Sequence, residues 1–191
     1  MKAVMLSLRP QWCEKIFNGS KSIEVRKSRP SIPTPFKVYV YQTKHNGGKA
    51  IVSEVLNSVY GGGKVIGSFV CDKIISTCGW RLKGHTGRCA KRTKSEEEFP
   101  KYACLSIEEI IEYSGNENLK IYGWHITEPK LFDKPRELCE FYAPCRKGKE
   151  TADESCKGCS YAFKGVSTGE IICDNAITRP PQSFCYIEVD E

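Results

Sequence analysis

The stretch that decides the fold is Gly19-Ser20-Lys21-Ser22-Ile23-Glu24-Val25-Arg26, near the beginning of a chain of 191 residues. In this stretch two apolar residues, Ile23 and Val25, alternate with two charged ones, Glu24 and Arg26. Successive side chains of a β-strand point to opposite faces, so the alternation predicts a strand that carries both charges on one face. Lys21 precedes the strand in a turn, and the three charged side chains can therefore converge on one pocket.

The sequence around this strand predicts further strands and a few short helices. Pro10 is typical of the first turn of a helix, and Gly19 of the position just after its end. The segment Ser106-Ile107-Glu108-Glu109 forms a capping box that begins a second helix, which Gly115 ends. Further strands are predicted at residues 2–8, 36–43, 65–76, 120–127 and 184–189. Because strands and helices do not alternate regularly, we expect a mixed α/β (α+β) fold built on a small β-barrel with short flanking helices.

The length predicts a single domain spanning residues 1–191, with two polar segments as inserts. The first is a basic loop at about 77–101, and the second is a cysteine-rich stretch at about 139–176. The longest apolar runs are strand-sized, well short of the roughly 20 residues of a membrane-spanning helix. The N-terminus lacks the apolar stretch of a signal peptide, so we expect a cytoplasmic protein that does not enter a membrane.

Positive charge is concentrated in the first half of the chain. The formal net charge is +6, and by segment it is +8 over residues 1–49, +4 over 50–102 and −6 over 103–191. A basic field attracts phosphates, so a polyanionic partner is expected to meet the first half. A solvated basic surface without a partner is the alternative that charge alone leaves open.

The opening stretch resembles the Gly-x-Lys-x-x-Glu-x-Arg signature of ASCH domains, which belong to the PUA-like superfamily. The neighbouring sequence agrees with this resemblance, since a strand ends at Met5-Leu6-Ser7-Leu8 and a helix follows Arg9-Pro10. Two later stretches also agree, Tyr122-Gly123-Trp124-His125-Ile126 and Pro180-Pro181-Gln182-Ser183-Phe184-Cys185-Tyr186. The resemblance covers residues 1–76 and 118–190 by the order of elements, and it is to the ASCH proteins often found in phage and prophage regions.

This resemblance implies a PUA-like β-barrel with a cleft that binds RNA or nucleotides. Some small members of this class hydrolyse N4-acetylcytidine with a lysine, a threonine and a glutamate, and others cleave RNA. Lys21 matches that lysine, whereas Glu24 replaces the threonine. The resemblance also suggests that Ser7, Trp124 and His125 lie near the cleft.

The signature residues have chemistry suited to a nucleotide. Arg26 can grip a phosphate or a base edge through its planar fork. Glu24 can accept a hydrogen bond from an exocyclic amine or act as a general base. Lys21 can stabilise negative charge, or act as a base if burial lowers its pKa. Alternatively, the three side chains only pair with one another and fix the strand.

Eleven cysteines are present, an odd number that a single chain cannot pair completely in disulfides. A Cys-x-x-Cys pair in a polar stretch poor in apolar residues indicates a structural zinc ion with four thiolate ligands. The predicted ligands are Cys145, Cys156, Cys159 and Cys173, with Cys185 as a rival fourth ligand and Cys139 as a weaker candidate. Free thiols, or a redox pair at Cys156 and Cys159, are the alternative.

Three functions are therefore compatible with the sequence. The first is a module that binds RNA or a nucleotide through Ser7, Lys21, Glu24, Arg26, Trp124 and His125. The second is an enzyme in which Lys21 and Glu24 are catalytic, either a hydrolase of modified nucleosides or an RNA nuclease. The third is an interaction protein whose cysteine-rich segment docks a partner.

Overall fold

A computed structural model describes residues 2–44, 62–84, 93–144, 162–164 and 170–189. Its strands are β1 (Lys2–Leu8), β2 (Ile23–Arg26), β3 (Phe36–Gln42), β4 (Lys64–Cys78), β5 (Lys120–Arg136), β6 (Ala162–Lys164), β7 (Ile171–Cys173) and β8 (Phe184–Glu188). Its helices are α1 (Pro10–Phe17), α2 (Gly79–Leu82), α3 (Lys94–Ala103) and α4 (Ile107–Ser114), and a 3₁₀ turn spans Leu138–Glu140.

Six of the strands form one mixed sheet, in the order β2-β5-β4-β3-β1-β8. β1 runs parallel to β3, and the other neighbours in this sheet are antiparallel. The predicted mixed α/β class is confirmed. The sheet is not a closed barrel, because β2 and β8 are not hydrogen-bonded to each other in the part of the chain that the structure describes.

Two long strands give the sheet its curl. β4 has 15 residues and β5 has 17, and the register between them shifts at three places. Each such irregularity bends a strand and increases its local twist. The prediction ended β5 at Thr127, but the strand continues past Pro129 to Arg136, because Pro129 falls where the register shifts between Ser68 and Val70.

The main core lies between the sheet and α1. It contains apolar side chains from β1, β3 and β4 together with Cys13 and Ile16 of α1. Gly67 allows the close approach of this helix, since a Cβ atom there would lie only 2.7 Å from the Cζ of Phe17. α1 is thereby held against the sheet beside β1.

A second layer of helices covers β2 and the beginning of β5. Phe99 of α3 and Ile110 of α4 are fully buried against Ile23, Val25 and Ile121. Apolar groups thus cover one face of β2, and all four residues of this strand are buried.

Residues 77–101, predicted as a basic loop, contain the end of β4, the helix α2 and most of α3, and residues 85–92 lie outside the described residues. A helix forms in this segment because Thr93 and Glu96 form a capping box that begins α3. Glu96 also accepts hydrogen bonds from Arg81 Nε at 2.6 Å and Nη2 at 2.8 Å. Chiefly because of this guanidinium, the pKa of Glu96 falls to about 2.

The cysteine-rich segment leaves and rejoins the domain at one place. Tyr142 forms an isolated bridge with Ala176, and the Ala143 amide donates to the Asn175 carbonyl at 2.8 Å. The Glu188 amide of β8 donates to the Tyr142 carbonyl at 2.9 Å. These contacts form a stem beside β8, and β6 and β7 form a separate two-stranded hairpin.

No helix among the described residues is long and apolar enough to cross a bilayer.

Candidate functional site: a charged cleft

A cleft of about 630 Å³ opens between α1, α4 and the segment that precedes β8. Four residues predicted from the sequence lie together in it: Ser7 from β1, Lys21 from the turn, and Glu24 and Arg26 from β2. We call these four residues the floor. The alternation within β2 explains the arrangement, because Ile23 and Val25 point to the helices while Glu24 and Arg26 point to the cleft.

Glu24 lies between two buried cations. Its Oε1 is 3.0 Å from Arg26 Nη2, and its Oε2 is 3.5 Å from Lys21 Nζ. Lys21, Glu24 and Arg26 are only 2%, 5% and 8% exposed. Water screens this trio weakly, so one carboxylate must offset two positive charges in a medium of low dielectric constant.

Lys21 is fixed by the C-terminal end of α3. Its Nζ donates to the Ala103 carbonyl at 2.6 Å and lies 4.9 Å from the centre of the Trp12 ring. The negative end of a helix dipole favours a cation at this position. Burial lowers the pKa of Lys21 from its ordinary value, and the Glu24 carboxylate opposes that shift.

Two polar atoms of the floor have no hydrogen-bond partner among the described residues. They are the Ser7 hydroxyl Oγ and the Arg26 Nε, and both atoms are buried. The two residues are adjacent, because Arg26 Nη2 donates to the Ser7 carbonyl at 2.9 Å. Buried polar groups in folded proteins are nearly always paired, so this corner of the floor has unused hydrogen-bonding capacity.

Flat and apolar groups form the walls of the cleft. Trp12 of α1 and Tyr113 of α4 contribute aromatic rings, and Pro180 and Pro181 precede β8. Tyr113 is 40% exposed, and Lys27 Nζ lies 5.2 Å from the centre of its ring. Arg9 adds another exposed cation.

The sequence reasoning missed the contribution of α4. Glu109 and Tyr113 lie four residues apart and therefore share a helix face, and both line the cleft. Helical periodicity gives the spacing, but only the packing of α4 shows that this face is turned toward β2.

Trp124 and His125 do not line the cleft. Trp124 pairs with Glu24 in register, but its ring is fully buried, with edge-to-face contacts to Phe36 at 5.7 Å and Phe184 at 5.2 Å. His125 projects from the other face of β5, where its Nδ1 lies 2.7 Å from Asp72 Oδ1. This pair is partly exposed.

The predicted zinc ligands are only partly within the described residues. Cys173 ends β7, Cys185 lies in β8 opposite Met5, and Cys139 is exposed in the 3₁₀ turn. Cys145, Cys156 and Cys159 lie outside the described residues. Among the residues that are described, no three potential ligands are grouped around one point.

Substitution of Glu24 tests the charge balance of the floor. We expect Glu24→Ala to lower the free energy of unfolding by about 3–5 kcal/mol, because it leaves two buried cations without their counter-charge. Urea denaturation measures this loss. His125→Ala removes a partly exposed side-chain contact to Asp72 and serves as the control, with an expected loss of at most about 1 kcal/mol. Equal losses in the two variants would contradict this account.

Comparisons with known proteins agree with the fold. No protein-family model matches the chain, and no curated protein matches it significantly. Among solved structures, an ASCH protein from Zymomonas mobilis matches with a TM-score of 0.51 and 18% identity, covering 97% of this chain and 87% of the other. A serine-to-alanine variant of the Zymomonas mobilis protein matches with a TM-score of 0.53 and 16% identity, covering 97% and 88%. The structural neighbours of this chain are thus ASCH proteins, and the chain shares their fold, as the signature at residues 19–26 predicted.

Proposed function

We propose that the chain binds RNA or a nucleotide in the charged cleft. The observation that carries this proposal is the convergence of Ser7, Lys21, Glu24 and Arg26 on one floor beneath aromatic walls. These four residues come from β1, the turn and β2, and only the curl of the sheet brings them together. The ASCH resemblance of the same stretch implies the same class of ligand.

The dimensions and lining of the cleft suit such a ligand. Its volume of about 630 Å³ lies within the range of 300–1,000 Å³ that is usual for small-molecule sites. Flat rings at the walls can stack on a base, and stacking on an aromatic side chain contributes about 1–3 kcal/mol per base. The charged floor can then form hydrogen bonds with the edge of that base.

The charges at the cleft favour an anionic partner. Arg9 and Lys27 are exposed close to the walls, and Lys15 lies 5.1 Å from the centre of the Trp12 ring. These three cations belong to the segment of the chain with a net charge of +8. Lysine and arginine side chains at such positions bind phosphates, and their contribution weakens as salt rises.

Removal of the Tyr113 ring tests binding in the cleft. We expect Tyr113→Ala to weaken binding of a single-stranded RNA by roughly five- to a hundredfold, because one stacking surface is lost. Fluorescence anisotropy with a labelled octanucleotide, repeated at several salt concentrations, measures this effect. Tyr142→Ala is the matched control, because Tyr142 is 49% exposed and does not line the cleft. An equal effect of the two variants, or binding that does not change with salt, would reject the proposal.

A hydrolytic activity at the same floor is the second candidate function. The observation that favours it is the buried Lys21, whose pKa is lowered chiefly by desolvation. A lysine with a lowered pKa can serve as a base or a nucleophile. Glu24, 3.5 Å from Lys21, is the adjacent carboxylate for proton transfer. The reactions that the resemblance implies are hydrolysis of a modified nucleoside such as N4-acetylcytidine and cleavage of RNA.

Mass spectrometry of RNA and of a nucleoside mixture after incubation with the protein distinguishes the two candidates. An enzyme changes the mass of a substrate, and Lys21→Met abolishes that change while preserving the length of the side chain. Lys130→Met is the control, because Lys130 is exposed and lies outside the cleft. Unchanged masses with a pool containing RNA and N4-acetylcytidine would reject the hydrolase for these substrates.

We also propose that the cysteine-rich segment holds a structural zinc ion. The stem at Ala143 and Asn175 brings the two ends of the segment side by side, as a site that takes ligands from both ends requires. In the sequence, Cys145 follows Ala143 by two residues and Cys173 precedes Asn175 by two. With Cys156 and Cys159 these residues give four thiolates, the usual set of a structural zinc site.

Metal analysis of the purified chain tests the zinc proposal. We expect about one zinc ion per chain by native mass spectrometry, and loss of this ion in Cys159→Ser, because four thiolates are needed to close a tetrahedral site. Cys104→Ser is the control, because Cys104 lies at the end of α3, where its thiol donates to the Ser20 carbonyl at 3.2 Å. A metal-free wild-type chain would exclude the site.

A further inference from the structure

Two exposed aromatic rings flank β2, and each of them has a lysine close to its face. Tyr102 of α3 is 38% exposed, and Lys101 Nζ lies 5.7 Å from the centre of its ring. Tyr113 of α4 is 40% exposed, and Lys27 Nζ lies 5.2 Å from the centre of its ring. An exposed ring can stack on a base, and the lysine beside it can contact the phosphate of that nucleotide.

The two rings belong to opposite ends of β2. The amide of Ser22, the residue before this strand, donates to the Tyr102 carbonyl at 3.0 Å. Lys27, whose ammonium approaches the Tyr113 ring, is the residue after the strand. The charged residues of the floor lie between these two ends. Tyr113 lines the cleft, whereas Tyr102 lies outside it.

The separation of the two ends is longer than one nucleotide. A strand advances about 3.3 Å per residue, so Ser22 and Lys27 are about 17 Å apart. A helix advances about 1.5 Å per residue, which places Tyr113 about 10 Å beyond Ser106 at the start of α4. A stacked nucleic-acid strand advances about 3.4 Å per nucleotide. Contact with both rings therefore requires about three to five nucleotides.

We propose that the ligand of the cleft is a single-stranded RNA segment of about three to five nucleotides rather than a free nucleotide. One nucleotide occupies the cleft, and the strand continues past its turn end to stack on Tyr102. Lys101 and Tyr102 do not line the cleft, so a nucleotide confined to the cleft gains nothing from them. A duplex does not fit this surface, because its bases already stack on each other. The inference deepens the proposed function and rests on it.

The dependence of affinity on strand length tests this inference. Oligouridylates and oligoadenylates of one to eight nucleotides, each with a 5′-phosphate, are titrated into the full chain by isothermal calorimetry. We expect the affinity to rise at least tenfold from the monophosphate to the pentanucleotide and to stay level from five to eight nucleotides. The two series separate the effect of length from that of the base. Mass spectrometry after each titration verifies that the strands are intact.

Variants outside the cleft connect the gain in affinity to the second ring. Tyr102→Ala is expected to weaken binding of the octanucleotides roughly five- to a hundredfold and to leave the monophosphates unchanged, whereas Tyr102→Phe keeps the ring and the affinity. Lys101→Met is expected to lower the slope of log affinity against log salt by about 0.7, the value for one phosphate contact on a single strand. Tyr142→Ala and Lys130→Met are the matched controls, because both residues are exposed and lie outside the cleft. Circular dichroism verifies that each variant is folded.

The outcomes separate this inference from the proposed function. If the monophosphates bind as tightly as the octanucleotides, nucleotide binding stands and the strand is wrong. The strand is also wrong if Tyr102→Ala leaves octanucleotide binding unchanged, or if an eight-base-pair duplex binds as tightly as a single strand. If neither the strands nor the monophosphates bind, both proposals fail.

Discussion

The curl of the sheet is the constraint on which the site depends, and its clearest sign is the 2.9 Å hydrogen bond from Arg26 Nη2 to the Ser7 carbonyl. This bond joins β2, at one edge of the sheet, to β1, four strands away in the sheet order. In a flat sheet four strand spacings would separate these strands by about 19 Å. The contact therefore requires the curl that the irregular pairing of β4 with β5 produces. The Arg26 side chain thus connects β2 to β1, two strands that are not neighbours in the described sheet.

The electrostatics of the floor follow from this geometry. The curl buries Arg26, and burial of a cation is tolerated only when a counter-charge is close. Glu24 provides that counter-charge for Arg26 and for Lys21 at the same time. The ion pairs that fix β2 and the groups that can recognise a ligand are thus the same side chains. The same three side chains can therefore fix β2 and bind a ligand, so the two interpretations of the signature are compatible.

Local sequence patterns predicted the parts of this site that depend on neighbouring residues. The alternation at residues 23–26 predicted β2, and Ser106 and Glu109 predicted the start of α4. The enclosure of Trp124 and the separation of His125 from the cleft depend on how strands wrap around the core. No local pattern encodes that wrapping. The same holds for the extension of β5 through Pro129, which requires a bulge formed with a partner strand more than fifty residues away in the chain.

The stem at Tyr142 and Ala143 has a consequence for how the chain can vary. The chain leaves the sheet and returns to it at neighbouring points beside β8. At these points the Ala143 amide donates a hydrogen bond to the Asn175 carbonyl, and the Glu188 amide donates one to the Tyr142 carbonyl. The closure entropy of a loop grows only slowly with its length, so the segment between these points can be lengthened or shortened at small cost to the sheet. A change in the length of this segment is therefore expected to leave the cleft unchanged, because the stem lies beside the beginning of β1 and the cleft lies at its end.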